Sequence, residues 1–380
     1  MPNRRLIGQP GSRAALDTPA LVIDIEAFER NIARMADYAR ARGVALRPHA
    51  KTHKSVACAR RQIAAGAIGM CCATLGEAEA MVGGGIPGVH ITSPQVTASK
   101  IARLIALNRS APLGLSVVVD HPDNLAALER AAQDAGTRLD VLVDFSAGLS
   151  RTGCADADAV VTLARAAHGA RGLRLRGIQS YSGNLQHIAV RAERARRAVE
   201  QRASLRRILA ELRAAGIAIE LITGAGTGTY DLDGDDKLFT ELQVGSYIFM
   251  DVDYQRALRD GTNAPAFETS LFVATSVVST NARGYVTTDA GLKAFATDGP
   301  LPEVARGAPG FSVEGSRYEF FGDEHGKLIL PEGAAKPPLG TCIECATPHC
   351  DPTVNLYDVY HVVRGDTLID IWPIEARGKR

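Results

Sequence analysis

The chain lacks an excess of either charge: 43 lysines and arginines face 42 aspartates and glutamates, a formal net charge of +1. That balance excludes a global field that would gather nucleic acid or an anionic membrane surface, so local sites must carry the function. Long apolar runs are missing as well. None approaches the roughly 20 residues that cross a bilayer. The stretch from Met1 to Arg13 has no apolar segment of the signal-peptide kind, so the expected compartment is the cytoplasm. Cysteine is sparse and odd in number, seven in 380 residues, with Cys71-Cys72 adjacent inside an apolar run; that suits reduced, buried thiols rather than disulfides. No repeat or low-complexity linker divides the chain. No G-x-G-x-x-G follows the first strand-like run, which weakens a dinucleotide-binding reading.

What the sequence does contain is apolar material, 46% of residues, enough for one large domain or a large and a small one. It is distributed in a regular alternation. Ala20–Ile25 is strand-like, and Phe28, Ile32, Met35, Ala36 and Ala39 then recur at helical spacing. The pattern repeats with strand-like runs at 44–46, 68–73, 89–92, 115–119, 139–144, 175–181 and 217–224, most followed by a helix-length segment, including a long charged one from about Arg191 to Ala215. Eight such units at a spacing of about 30 residues imply parallel pairing and a (β/α)8 TIM-type barrel, with a doubly wound open sheet as the runner-up. After about Ala264 the pattern changes. Strand-like runs at 271–278, 284–288 and 357–363, separated by Gly and Pro turns, predict a second, β-rich domain. The expected division is 17–263 for the barrel, with 1–16 and 264–380 forming the β-rich part and the boundary near Arg256 to Asn263.

Arg47-Pro48-His49-Ala50-Lys51-Thr52-His53-Lys54 crowds two ammonium groups, two imidazoles and a guanidinium into eight residues, between a strand-like run and a helix. In parallel α/β proteins that junction is the rim where ligands bind. A lysine among other cations there is expected to have a lowered pKa and a more nucleophilic amine; the plain alternative is a solvated basic turn. Thr223-Gly224-Ala225-Gly226-Thr227-Gly228-Thr229 closes what counts as the eighth barrel strand, and its small residues predict backbone N–H groups that surround a phosphate. Gly245-Ser246-Tyr247 is a second candidate for the same anion. A nucleophilic lysine and a phosphate cradle on one barrel rim suggest pyridoxal phosphate. A sugar-phosphate aldolase that joins lysine directly to substrate uses the same two parts.

Near the far end lies Pro348-His349-Cys350-Asp351-Pro352-Thr353. In an extended segment His349 and Asp351 would face one way and grip a divalent cation, with Cys350 facing away. The plain alternative is a turn capped by Asp351. Cys342, Cys345 and Cys350 lack the paired spacing of a zinc cluster.

These pieces, together with Asp17-Thr18-Pro19, resemble in order the patterns of the D-threonine aldolase family, relatives of the alanine racemase-type (fold type III) pyridoxal phosphate enzymes. The resemblance covers essentially the whole chain. It implies that Lys51 carries the cofactor and that Arg151 lies near its ring oxygen. It implies too that Thr223, Gly224, Gly226, Thr227 and Tyr247 hold the phosphate, with Tyr181 also among the cofactor residues. His349 and Asp351 would bind a divalent metal, manganese first and magnesium second, and His187 would act as the base beside the substrate hydroxyl. The implied substrates are small β-hydroxy-D-amino acids, such as D-threonine, D-phenylserine or 3-hydroxy-D-aspartate, and the implied assembly is a homodimer. Related D-serine and 3-hydroxy-D-aspartate dehydratases are similar too, but carry His-x-Cys at the metal pair, where zinc is favoured by the softer sulfur; Asp351 stands here instead and tips the reading toward aldol cleavage. A reading of another class, a non-catalytic pyridoxal phosphate-binding protein, shares the barrel but has no second domain.

Overall fold

Ala20 to Ile23 is buried on both faces, at most 1% exposed, and that burial places it in the middle of a sheet. The computed structural model describes residues 3–111, 114–259, 266–308 and 310–380. In it, β1 (Ala20–Asp24) lies between β10 (Leu271–Ser279), antiparallel, and β16 (Val359–Arg364), parallel, with Val22 opposite both Phe272 and His361. The chain divides into two units: Met1–Arg34, Thr52–Ala57 and Ser246–Arg377 form one, and Met35–Lys51, Cys58–Gly245 and Gly378–Arg380 the other.

The second of these units is the barrel. Its strands are β2 (Ala45–Leu46), β3 (Cys71–Cys72), β4 (Val89–Ile91), β5 (Leu115–Val119), β6 (Leu139–Phe145), β7 (Leu173–Ser180), β8 (Leu221–Gly224) and β9 (Glu241–Leu242). They run parallel in the order β2-β9-β8-β7-β6-β5-β4-β3. An isolated bridge between His49 and Cys71 joins the two ends of that sheet, and the Ile68 and Cys71 N–H groups donate to the carbonyls of Leu46 and Pro48 at 2.8 Å each. The strands β5 and β6 are rich in Val and Leu because a barrel wall is covered on both sides. The helices between them are α3 (Leu75–Gly83), α4 (Ala98–Ser110), α5 (Pro122–Asp134), α6 (Ala157–Gly169), α7 (Arg191–Ala214) and α8 (Tyr230–Asp235). Each longer helix buries one stripe, as in Ile101, Leu104 and Ile105 of α4. Thr74 and Glu77 close a capping box on α3, a device contributing about 1 kcal/mol.

The other unit is a nine-stranded sheet. β11 (Tyr285–Thr288), β13 (Arg317–Phe320) and β14 (Gly326–Ile329) extend it on one side of β10, and β17 (Thr367–Pro373) continues it beyond β16. β15 (Cys342–Ala346) pairs with β10 and with β12 (Glu303–Gly307). Phe28, Phe249, Tyr360 and Trp372 pack with ring centroids 5.7 to 6.2 Å apart, so the single tryptophan is a core residue of this unit. Short helices α9 (Val252–Ala257) and α10 (Cys350–Val354) belong here. The helices α1 (Ile25–Arg42) and α2 (Val56–Ala64) each carry the chain from this unit into the barrel unit.

Three expectations need correction. The run at 20–25 is followed by a helix and so reads like a barrel strand, but it pairs in the antiparallel sheet. The barrel's eighth strand is β9, two residues long and too short to read as a strand, so β8 and its glycine loop come seventh. The units accordingly part at Gly245/Ser246 rather than near 256–263, of which residues 260–263 lie outside the described residues.

Candidate active site

Lys51 sits in a one-turn 3-10 helix, Ala50–Thr52, just past the carboxyl end of β2. Its own N–H donates to His49 Nδ1 at 3.3 Å, so the His49 proton is on Nε2, which lies 3.1 Å from Thr92 Oγ1. That hydroxyl in turn donates to the Cys72 carbonyl at 3.2 Å. The turn is therefore anchored to β3 and β4. Arg47 does not join the cationic crowd that the sequence suggests. Its guanidinium makes a two-pronged ion pair with Glu241, 2.9 Å on each arm, and also donates to the Gly88 carbonyl.

Polar side chains from neighbouring barrel strands form one connected network. Gln179 of β7 donates to Asp144 Oδ1 at 2.9 Å and to the Thr92 carbonyl at 3.2 Å. The Gln179 Oε1 accepts from His90 Nε2 at 3.2 Å and from Gln243 Nε2 at 3.1 Å, and Gln243 also donates to Thr223 Oγ1 at 2.9 Å. His90 Nδ1 faces Ser116 Oγ at 2.9 Å. Burial lowers the His90 pKa to about 4, helped by Arg47 and opposed by Glu241 and the Gln179 hydrogen bond. Burial pushes the Asp144 carboxyl up to about 6, against hydrogen bonds from Gln179 and Thr152 and the nearby charge of Arg151. The network thus links the β6 end, near Arg151, with Thr223 and with Thr92, which holds the lysine turn.

The glycine loop differs from its expected form. Gly226 N–H donates to Thr229 Oγ1 at 3.3 Å and Gly228 N–H to Gln186 Oε1 at 2.8 Å, so two of its amides are engaged within the loop and its neighbour. A Cβ on Gly226 would strike the Gln186 carboxamide, and one on Gly228 the Gln186 backbone. The glycines are there to let Gln186 approach. Ala225 has φ 64°, a left-handed conformation of the kind found in anion-binding turns. Gln186 is fully buried while its neighbour His187 is exposed in the turn after β7. Tyr181 is half-buried and directly follows β7, whereas Arg151 is exposed in the loop after β6.

In the antiparallel unit Tyr247 is buried, its ring 5.6 Å from that of Phe267. His349 has extended backbone, but Cys350 begins α10, so the alternation expected of a strand fails. Cys350 does not face away: its sulfur lies 3.5 Å from Asp351 Oδ1, and burial with the Asp251 and Asp351 carboxylates pushes its thiol pKa well up. His349 Nδ1 is 2.9 Å from Asp298 Oδ2, the arrangement in which a carboxylate fixes an imidazole and turns Nε2 into the lone-pair nitrogen. An imidazole and a carboxylate are donor types that a divalent cation takes, with its other positions left to water or substrate. No cluster of three or more metal-ligating side chains occurs among the described residues, and the cysteines are all buried, with no disulfide among the described residues. A lysine in a turn and a small-residue loop with a left-handed Ala225, both at carboxyl ends of barrel strands, fit pyridoxal phosphate. Asp298, 51 residues before His349, carried no signal in the sequence, nor did Gln186; Asp251 could have been read as a helix cap before Val252.

A closed parallel barrel with this lysine turn, followed in sequence by an antiparallel sheet, defines an alanine racemase-type protein. The family described as alanine racemase, N-terminal domain, matches residues 23–253, and a domain named for serine dehydratases matches 270–363. A D-threonine aldolase of an Arthrobacter species is 42% identical over 97% of this chain and 95% of its own length. A 3-hydroxy-D-aspartate aldolase of Paracoccus denitrificans is 37% identical over the same shares. The crystal structure of D-threonine aldolase from Filomicrobium marinum superposes with a TM-score of 0.90 at 41% identity, over 96% of both chains. The chain belongs to the D-threonine aldolase family, within the alanine racemase-type proteins that use pyridoxal phosphate.

Proposed function

We propose that this chain is a pyridoxal phosphate- and divalent cation-dependent aldolase that cleaves β-hydroxy-D-amino acids to glycine and an aldehyde. The observation that carries this reading is the His349/Asp351 pair, in which Asp298 orients the imidazole and an oxygen stands at the second ligand position. Its full-length similarity to proteins named as aldolases supports it.

Bound, the cofactor supplies an electron sink for the carbanion left when Cα–Cβ breaks, and the cation a Lewis acid at the β-hydroxyl. Lys51 Nζ carries the cofactor. Thr223, Gly224, Gly226 and Thr227 would anchor its phosphate, and Tyr247 is assigned to the same anion. Arg151 would lie near the ring oxygen and Tyr181 would contact the cofactor, with Asp144 near the charge of Arg151. His349 Nε2 and the Asp351 carboxylate would hold the cation, manganese before magnesium, since a hard oxygen suits both but an imidazole suits magnesium less. His187, exposed in its turn, takes the hydroxyl proton. A homodimer in the cytoplasm is part of this reading, and light scattering of the active protein tests the dimer.

Incubating the holoenzyme with D-threonine separates the rivals. Acetaldehyde with glycine supports cleavage, 2-oxobutyrate would mean a dehydratase, and L-threonine a racemase. Turnover of none of these, nor of D-phenylserine or 3-hydroxy-D-aspartate, would leave a cofactor-binding protein without catalysis. Comparing rates on the three β-hydroxy acids then names the preferred Cβ substituent.

A further inference from the structure

The carboxylate of Asp251 bridges two chain segments. It is fully buried; Oδ1 accepts the Tyr254 N–H at 2.9 Å and caps α9, while Oδ2 accepts the Cys350 N–H at 2.9 Å. Cys350 stands between the two candidate cation ligands. The same two segments are tied twice more, by Val252 N–H to the Thr347 carbonyl at 3.0 Å and Asp253 N–H to the Pro348 carbonyl at 3.3 Å. The backbone from Thr347 to Cys350 is thus fastened to 251–253, and the imidazole of His349 is steered separately by Asp298.

We propose that Asp251 is a positioning residue for the cation pair: by holding the Cys350 amide it fixes the turn that sets His349 and Asp351 at ligand spacing, so cation affinity depends on a side chain that contributes no ligand atom. This rests on the cation reading above. A carboxylate is required because both partners are N–H donors. An asparagine can accept only one of them and would set its own N–H₂ against the other. A serine can still cap α9, since capping needs one short oxygen, but its hydroxyl cannot also reach the second amide.

The choice of variants separates capping from positioning. Binding of Mn²⁺ is measured on holoenzyme by loss of the free-ion paramagnetic signal, for the parent, Asp251→Ser, Asp251→Asn and Asp351→Ala, alongside the visible absorbance of the bound cofactor. Both Asp251 variants are expected to bind Mn²⁺ about 10- to 100-fold more weakly, as removal of a group supporting a metal ligand commonly does, with the cofactor band kept and the rate recovered in excess Mn²⁺. Parental Mn²⁺ affinity in Asp251→Ser would overturn the proposal and leave Asp251 as a helix cap. Loss of the cofactor band together with Mn²⁺ binding would also overturn it, by making Asp251 a general support of the fold. If the parent and Asp351→Ala bind Mn²⁺ alike, it is the cation reading that falls.

Discussion

Arg47 and Glu241 meet as a two-pronged ion pair, Nε to Oε1 and Nη2 to Oε2 at 2.9 Å each, with the Glu241 side chain only 1% exposed. The pair ties the residue after β2 to the first residue of β9. Removing one buried partner strands the other, so Glu241→Gln should cost about 3–5 kcal/mol. Replacing both, as in Arg47→Met with Glu241→Leu, should cost less than the single change. Denaturant midpoints of the two variants check this, and a single variant as stable as the parent would contradict it.

Lys51→Ala should lose the visible band of the lysine-bound cofactor and all cleavage, while Lys54→Ala keeps both. Lys54 has φ 52° and its carbonyl accepts the Ala376 N–H at 3.0 Å, so its backbone is committed within the antiparallel unit. Spectra of the two purified variants decide it; the opposite pattern would sink the assignment of Lys51.

Chelation, or Asp351→Ala, should abolish cleavage yet leave the cofactor band, because lysine and phosphate loop come from the barrel unit and the cation pair from the other. Excess Mn²⁺ should restore part of the rate to the Asp351 variant and none to the Lys51 variant. Asp351→Cys should shift preference toward zinc. A chelated enzyme, empty by metal analysis but cleaving at its full rate, would show that the 348–353 segment is a structural turn.

His90 is neutral in the fold. Its pKa is lowered from 6.5 to about 4, so the unfolded chain binds the proton more readily and stability is lost as pH falls through that window, by about 3 kcal/mol in all. Asp144, raised from 3.8 to about 6, acts in the opposite sense: it favours the fold at low pH, and that contribution is lost as pH rises through about 6. The test is therefore a comparison. Unfolding free energies at pH 4.5 and 7 should differ by less acid loss in His90→Gln than in the parent, and equal losses would refute the assignment.

Much of this protein was legible in its residues. The alternation of buried runs with amphipathic segments set a parallel barrel, because strands and helices with one or two covered faces leave different periodicities. The turn at Lys51, the small-residue loop at 223–229 and the 348–353 segment stood out as candidates because they concentrate residue types that cores avoid. Tertiary structure decided the rest. Ala20–Ile25 reads the same whether its hydrogen-bonding partners are barrel strands or β10 and β16, since an apolar run reports that both faces are covered and not by what. Glu241–Leu242 is too short to have a period, and becomes a strand only because β2 and β8 supply its partners. The partner that neutralises Arg47 lies 194 residues away, and Gln186, Asp251 and Asp298 matter only through what folding sets beside them. Local patterning governs which segments are buried; hydrogen-bond and charge partners are chosen by chain closure over long separations, and sequence spacing carries no trace of them.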